Sequence, residues 1–317
     1  MRDSVVVVGS GLMGSGIGAM AALAGNPVIL VDLDIQRARA GLERAHACIA
    51  LRLENGLNTA KEAEKAKALL TASANMEEAA SSARLVIEAV VEKLEVKQTL
   101  FRQLDAMLPA EVPVCSNTSG LRITEISALC RHPERTFTTH FWLPAHLVPL
   151  VEVVVGDASD LEMGKTVVEE LKRWKKSPVL VRRDLPGQLA NRVFQAIIRE
   201  AVSIVASGLA SAGDVDTAIR CGMAMRFPEW GPLMHLDAIG LDLGLAVQDS
   251  VLPDISAEQT ANGYLRGLVE RGETGVKAGK GFYDWSRYDI ADEMRKRDAF
   301  IIEAVKAAAR IEREAET

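Results

Sequence analysis

At 317 residues, with 48% apolar and 25% charged side chains, the chain has room for two globular domains and lacks the composition of a disordered or disulfide-stapled protein. A net charge of −6 and only 4% aromatic residues argue against nucleic acid or an anionic membrane as partner. The four cysteines (Cys48, Cys115, Cys130, Cys221) are far apart, without a CxxC pair or zinc-ligand spacing, which predicts a reducing, cytoplasmic setting and no bound metal.

Val5 to Val8 is a β-branched run that enters a glycine motif, too short for the core of a secretion signal, so a strand is expected and no export or membrane segment. A small-residue helix follows to about Ala24, is broken at Gly25-Asn26-Pro27, and gives way to a second buried strand, Val28 to Val31. From Asp34 to about Lys67 the helical periodicity is polar and interrupted at Asn55-Gly56, which predicts a helical hairpin. Leu85–Val91 reads as a strand, Val96–Leu108 as a helix, and Val112–Ser116, Phe137–His140, Val148–Val155 and Ser177–Val181 as further strands, with a helix over Leu161–Lys175. Alternation of this kind predicts an α/β fold, a Rossmann-type, doubly wound and mostly parallel sheet. The pattern changes at Asp184-Leu-Pro-Gly187; beyond it only helical spacing is found, beginning with Leu189, Val193, Ile197 and Ile204. Two domains are expected, residues 1–185 for nucleotide binding and an all-α domain over 186–317.

Gly9-Ser-Gly11-Leu12-Met13-Gly14 sits between the first strand and helix, where glycines permit a tight turn, close approach of backbone to a pyrophosphate and close helix packing. Asp32 ends the second strand 18 residues after Gly14, placed to accept hydrogen bonds from ribose hydroxyls and to repel a 2′-phosphate. NAD is therefore the expected cofactor, rather than NADP. A glycine turn that binds nothing is the plainer reading, and the strand, the helix and Asp32 together weigh against it.

The second informative stretch is Ser116-Asn117-Thr118-Ser119, followed 21 residues after Ser119 by His140 and 12 later by Glu152. In a sheet of this type ligands gather beyond the carboxyl ends of the strands. Alcohol oxidation needs a base for the hydroxyl proton; histidine suits it near neutral pH, and a carboxylate fixes its tautomer. Spacing alone favours an ordinary structural histidine, since most histidines only satisfy a structural hydrogen bond.

These residues together resemble the L-3-hydroxyacyl-CoA dehydrogenase family. The resemblance is carried by Val-Val-Val-Gly9-Ser-Gly-Leu-Met-Gly14-Ser-Gly, by Glu88 to Lys97, by Ser116-Asn-Thr-Ser119, His140 and Leu150-Val-Glu152, and by Asp184-Leu-Pro-Gly-Gln-Leu-Ala-Asn-Arg192 and Gly279-Lys-Gly-Phe-Tyr283, in order over residues 4 to about 285. It implies His140 as general base, Glu152 as its carboxylate partner, and Ser119 and Asn191 as groups that orient the substrate oxygen. It further implies Glu92, Lys97 and Asn117 near the ribose and nicotinamide of NAD, a hydroxyacyl substrate as CoA thioester, a place in fatty acid metabolism, and a homodimer formed by the helical domain. A related class of dehydrogenases uses a catalytic lysine in a Gly-x-x-x-Lys segment; the corresponding place here ends in Asn191.

The departures bear on the substrate. The family commonly reads His-Phe-Phe-Asn-Pro, whereas this chain reads His140-Phe-Trp-Leu-Pro144, so Leu143 cannot supply an amide. Lys61, Lys65 and Lys67 are available to a CoA phosphate but fit a solvated helix face better, and His235 follows Gly231-Pro-Leu-Met where relatives often carry an acidic residue. Three functions follow in order: oxidation of an L-3-hydroxyacyl-CoA, oxidation of a CoA-free hydroxy acid or hydroxymethyl compound, and nucleotide binding without catalysis. The last leaves the combination of Ser119, His140, Glu152 and Asn191 unexplained.

Overall fold

The computed structural model describes residues 2–315. The chain forms two compact units, residues 1–192 and 193–317.

The first unit is built in chain order from β1 (Ser4–Val8), α1 (Leu12–Leu23), β2 (Val28–Val31), α2 (Ile35–Glu54), α3 (Ala60–Ala68), β3 (Leu70–Ser73), α4 (Met76–Ser82), β4 (Ala83–Glu88), α5 (Leu94–Met107), β5 (Val114–Ser116), α6 (Ile123–Ile126), β6 (Thr136–Phe141), β7 (Leu150–Val155), α7 (Leu161–Arg173) and β8 (Ser177–Val181). The eight strands run in the order β3-β2-β1-β4-β5-β6-β7-β8, parallel throughout except that β6 and β7 are antiparallel. This is the expected Rossmann-type sheet. Two features were not read from the sequence: β3 as an edge strand, and the reversed direction between β6 and β7.

The central strands are covered on both faces, so β1 and most of β4 read as continuous apolar runs instead of alternating ones. Val5, Val7, Ile87 and Phe137 belong to one core, which includes Ile17 of α1 and Leu171 of α7; Val6, Val86 and Val114 belong to the other with Phe101 and Leu104 of α5. Local signals fix the helix starts. The Asp34, Thr59, Asn75 and Asp160 side chains accept from the backbone N–H three residues on, and Thr59 with Glu62 closes a reciprocal capping box.

The second unit is helical. It contains most of α8 (Ala190–Ser207), then α9 (Ala212–Cys221), α10 (Pro232–Ile239), α11 (Leu241–Val251), α12 (Gly263–Glu270) and α13 (Ile290–Ala315). Its β-structure among the described residues is confined to isolated bridges at Gly275, Lys280 and Asp284. The break between units falls after Arg192, beyond the change of sequence pattern at 184–187. Residues 184–190 stay with the sheet because their polar groups are anchored there. The Asp184 carboxylate accepts from Thr124 N (2.8 Å), and Gln188 Nε2 donates to the Thr118 carbonyl (3.0 Å).

Candidate active site

The loops that leave the carboxyl ends of β1, β2, β3 and β4 border a cavity of about 830 Å³, lined in part by Gly9, Gly11, Asp32, Ala74, Val90 and Val96. Gly9 has φ +92°, and a Cβ there would lie 2.6 Å from the Ala89 carbonyl oxygen; a Cβ on Gly14 would lie 1.8 Å from the Gly9 carbonyl oxygen. Both positions require glycine, one for the turn and one for the close approach of α1 to it. A Cβ on Gly11, in contrast, meets nothing within 4 Å, so its glycine leaves open space beside the helix start. The first turn of α1 carries no acidic side chain, and its N–H groups are left for an anion. Leu12 is exposed and the Met13 side chain packs on the core, so both contribute backbone to this cradle.

Asp32 stands at the mouth of the cavity with one carboxylate oxygen taken by Ser10: Oδ2 accepts from Ser10 N (2.9 Å) and Ser10 Oγ (2.7 Å), and Oδ1 accepts from Leu33 N (2.8 Å). Partial burial works to raise its pKa, but these hydrogen bonds and the Arg37 charge hold it below the usual carboxylate range. An open helix start, a glycine without neighbours and an ionised carboxylate together fit the pyrophosphate and ribose of a dinucleotide.

Lys97 is turned inward, first to Glu88 and then to Glu92, whose own side chain is partly exposed. Lys97 is 1% exposed; its Nζ lies 2.5 Å from Glu88 Oε1 and 3.3 Å from Glu92 Oε2. Glu92 Oε1 gathers the loop after β5, accepting from Thr118 Oγ1 (2.5 Å), Ser119 N (2.9 Å) and Gly120 N (3.2 Å). Burial pushes the Glu92 pKa up, and these donors with Lys97 outweigh it and bring it below the normal value. The physical reason is that a buried ammonium needs anions at hand, and Glu88 and Glu92 supply them. Asn117 has a similar bracing part: its Oδ1 accepts from Phe141 N (2.9 Å), tying the β5 loop to the end of β6.

His140 and Glu152 face each other in the β6–β7 register. His140 Nδ1 and Glu152 Oε2 are 2.7 Å apart, and the Trp142 indole N–H donates to the same oxygen at 3.0 Å. The other oxygen accepts the backbone N–H groups of Leu189 and Ala190, both at 2.8 Å, at the start of α8. Glu152 is wholly buried. Burial alone would raise its pKa, but hydrogen bonds from His140, Ala190, Trp142 and Leu189 prevail and bring it down to about 2. With the carboxylate ionised, Nδ1 is the ring nitrogen that donates to it, and Nε2 is the other ring nitrogen. Ser119 is exposed beyond β5, and Asn191 lies in the first turn of α8, next to the two amides that hold Glu152.

Several of these groups had no motif to mark them. Ser10 occupies a variable place in the glycine motif; Leu189 and Ala190 act through backbone; Glu88 lies inside the run read as a strand and opens the Glu88 to Lys97 stretch, neither of which pairs it with Lys97. Trp142 did have a signal, since it breaks the His-Phe-Phe pattern beside His140. His235 lies in α10 with its ring 6.4 Å from that of Trp230. Among the described residues no group of three or more His, Cys, Asp or Glu could hold a metal ion, and no helix is long and apolar enough to cross a membrane.

Fold and site thus define a dinucleotide-dependent oxidoreductase with a parallel-sheet cofactor domain. Comparison with known proteins gives the family. Residues 4–185 match the 3-hydroxyacyl-CoA dehydrogenase NAD binding domain and residues 187–285 its C-terminal domain, and the chain belongs to the 3-hydroxyacyl-CoA dehydrogenase family. It is an NAD-dependent oxidoreductase acting on a CH–OH group. A probable 3-hydroxybutyryl-CoA dehydrogenase of Bacillus subtilis is 36% identical over 282 residues, 89% of this chain and 96% of that protein. A 5-formyl-3-hydroxy-2-methylpyridine 4-carboxylate 5-dehydrogenase of Mesorhizobium japonicum is 30% identical over 285 residues, 89% of this chain and 91% of that protein. A solved structure of a dehydrogenase of the latter type, described as an NAD+-dependent dismutase, superposes with a TM-score of 0.88 at 26% identity, covering 98% of this chain and 99% of that one.

Proposed function

We propose that this chain interconverts an L-3-hydroxyacyl-CoA and its 3-oxoacyl-CoA. The observation that carries this reading is the His140–Glu152 contact of 2.7 Å at the end of the sheet that bears the dinucleotide cradle. NAD, when bound, supplies the acceptor for the hydride of the carbinol carbon. His140 takes the hydroxyl proton at Nε2, and the buried Glu152 carboxylate holds the Nδ1 proton and balances the imidazolium. Ser119 and Asn191 orient the substrate oxygen. Asp32 binds the adenosine ribose, and Glu92, Lys97 and Asn117 support the nicotinamide end by fixing the loop after β5.

The domain at 186–317 binds substrate and pairs with a second copy in this reading; the apolar surface of α10 and α11 supports a homodimer, with Leu233 78% exposed and Leu241, Leu243 and Leu245 also outside. A soluble, cytoplasmic enzyme of fatty acid metabolism is the setting that fits.

The second reading, oxidation of a CoA-free hydroxy acid or hydroxymethyl compound, is favoured by the near-complete superposition on the pyridine carboxylate dehydrogenase. It is also favoured by Leu143, and by Lys61, Lys65 and Lys67, which all stand exposed on α3. The deciding experiment follows NADH absorbance with acetoacetyl-CoA beside free acetoacetate and a panel of hydroxymethyl aromatics. Turnover of the thioester alone supports the first reading, turnover of free acids or alcohols alone the second, and turnover of neither overturns both.

A further inference from the structure

The His140–Glu152 pair holds a third member that a two-residue dyad does not require. Glu152 Oε2 lies 2.7 Å from His140 Nδ1 and 3.0 Å from Trp142 Nε1, and the Trp142 ring flanks the imidazole with centroids 5.7 Å apart at 55°. One oxygen therefore serves both ring N–H groups, while Oε1 is occupied by the Leu189 and Ala190 amides. We propose that Trp142 is a positioning residue that divides the Glu152 charge between its indole and the His140 imidazole, fixing the imidazole tautomer and making the base weaker than a two-member pair would make it. The proposal rests on the reading of His140 as base.

One carboxylate here meets four donors. A charge-assisted hydrogen bond withdraws electron density from its acceptor, so each added donor weakens the rest. The family motif places Phe where this chain has Trp142, and phenylalanine has no N–H. Trp142→Phe thus removes the indole donor while keeping an aromatic ring at the same place. The imidazolium then faces a less occupied oxygen and is better stabilised. The pH at which the imidazole takes its second proton rises by ~0.5–1 unit, less than the full worth of a hydrogen bond to a charged group because the remaining donors tighten.

The neighbouring charged groups have partners of their own, and Lys176, which precedes β8, is buried on the Ala145 (2.5 Å) and Val148 (2.8 Å) carbonyls, where burial and then the Arg52 charge push its pKa down to about 7. Lys97 of α5 is bound to Glu88 of β4 and to Glu92; Arg122, which precedes α6, is bound to Asp157 and Asp184; Arg192 donates to the Pro186 carbonyl. Cys115 of β5 is a buried thiol pushed up to about 12 and stays neutral. Strand β8 sets Val179 beside Glu152. Trp142 is thus the neutral donor whose removal changes the pair without exposing an unmatched charge among these groups.

The test is a histidine-selective NMR titration of the wild type and Trp142→Phe, with kcat/KM against pH for both. The chain has five histidines, so His140→Gln assigns the signal. The expected result is a neutral imidazole protonated on Nδ1 in the wild type, a titration midpoint raised by ~0.5–1 unit in the variant, and an acid limb of kcat/KM that moves with it. An unmoved midpoint, or a wild-type imidazole protonated on Nε2, overturns the proposal. If the midpoint moves but His140→Gln keeps full turnover, the division of charge stands and the assignment of the base fails instead. Should Trp142→Phe not fold, the wild-type Trp142 indole 15N signal reads the same coupling. It is expected to titrate with His140, and a flat signal overturns the proposal.

Discussion

Two lysines, each set between two carboxylates, mark the contrast between the sheet unit and the helical unit. Lys97 lies 2.5 and 3.3 Å from Glu88 and Glu92; Lys296 lies 2.8 and 2.9 Å from Asp292 and Glu293. The distances are similar, but the Lys97 side chain is 1% exposed and that of Lys296 63%. In the sheet unit, several charged groups (Glu88, Lys97, Arg135, Glu152) are buried and paired, and the central strand β1 is buried along its whole length. In the helical unit, charges lie in water and large apolar side chains such as Leu209, Leu233 and Phe300 are exposed. The first unit is complete as a folded object, whereas the surface of the second is suited to being covered.

The contrast can be broken at its strongest point. Lys97→Ala leaves Glu88 buried without its cation and should cost about 3–5 kcal/mol in urea unfolding. A loss under 1 kcal/mol would mean that the Glu88 site admits water freely.

Acid should reveal the same property at Glu152. Its folded pKa of about 2 lies below the value near 4.3 of an unfolded glutamate. The resulting stabilisation is present above pH ~4.3 and is lost as pH falls through about 2, on the order of 3 kcal/mol in all. Urea midpoints at stepped pH should fall less over this window in Glu152→Gln than in the wild type, and equal falls would contradict the geometry.

Function gives the next two tests. His140→Gln should lower kcat at least ~100-fold while NADH fluorescence titration still shows binding; full turnover would sink the proposed role. Asp32→Ala should raise KM for NAD by about 10-fold or more, from the loss of hydrogen bonds to a charged group, and narrow the preference over NADP.

The smallest effect belongs to Lys296→Ala, expected to leave Tm within measurement error because an exposed pair is screened and mobile. A clear drop would show that this part of α13 is covered in solution, and would turn the contrast between the two lysines into a measure of oligomer burial.

The glycine motif, the two-domain composition and the run of strands were legible because each has a local signature: β-branched runs, glycine at a forced turn, an aspartate after a strand. The resemblance to the family then placed His140 and Glu152 together, which spacing alone did not. The edge strand β3 was missed because Leu70-Thr-Ala-Ser73 is short and weakly patterned. The antiparallel β7 follows from the eight residues between β6 and β7, too few for a parallel crossover, a signal that periodicity does not carry. The Leu189 and Ala190 amides were illegible for a deeper reason. Every residue except proline has a backbone N–H, so no side chain announces which one will be used.

Those two amides also set where the chain can be cut and rejoined. They belong to the connecting segment, yet the buried carboxylate beside the histidine rests on them. A chimaera joined at residue 185 would import its donor's version of this strut and the base would inherit a foreign support. A join after Arg192 keeps the two amides and the carboxylate they hold from one parent.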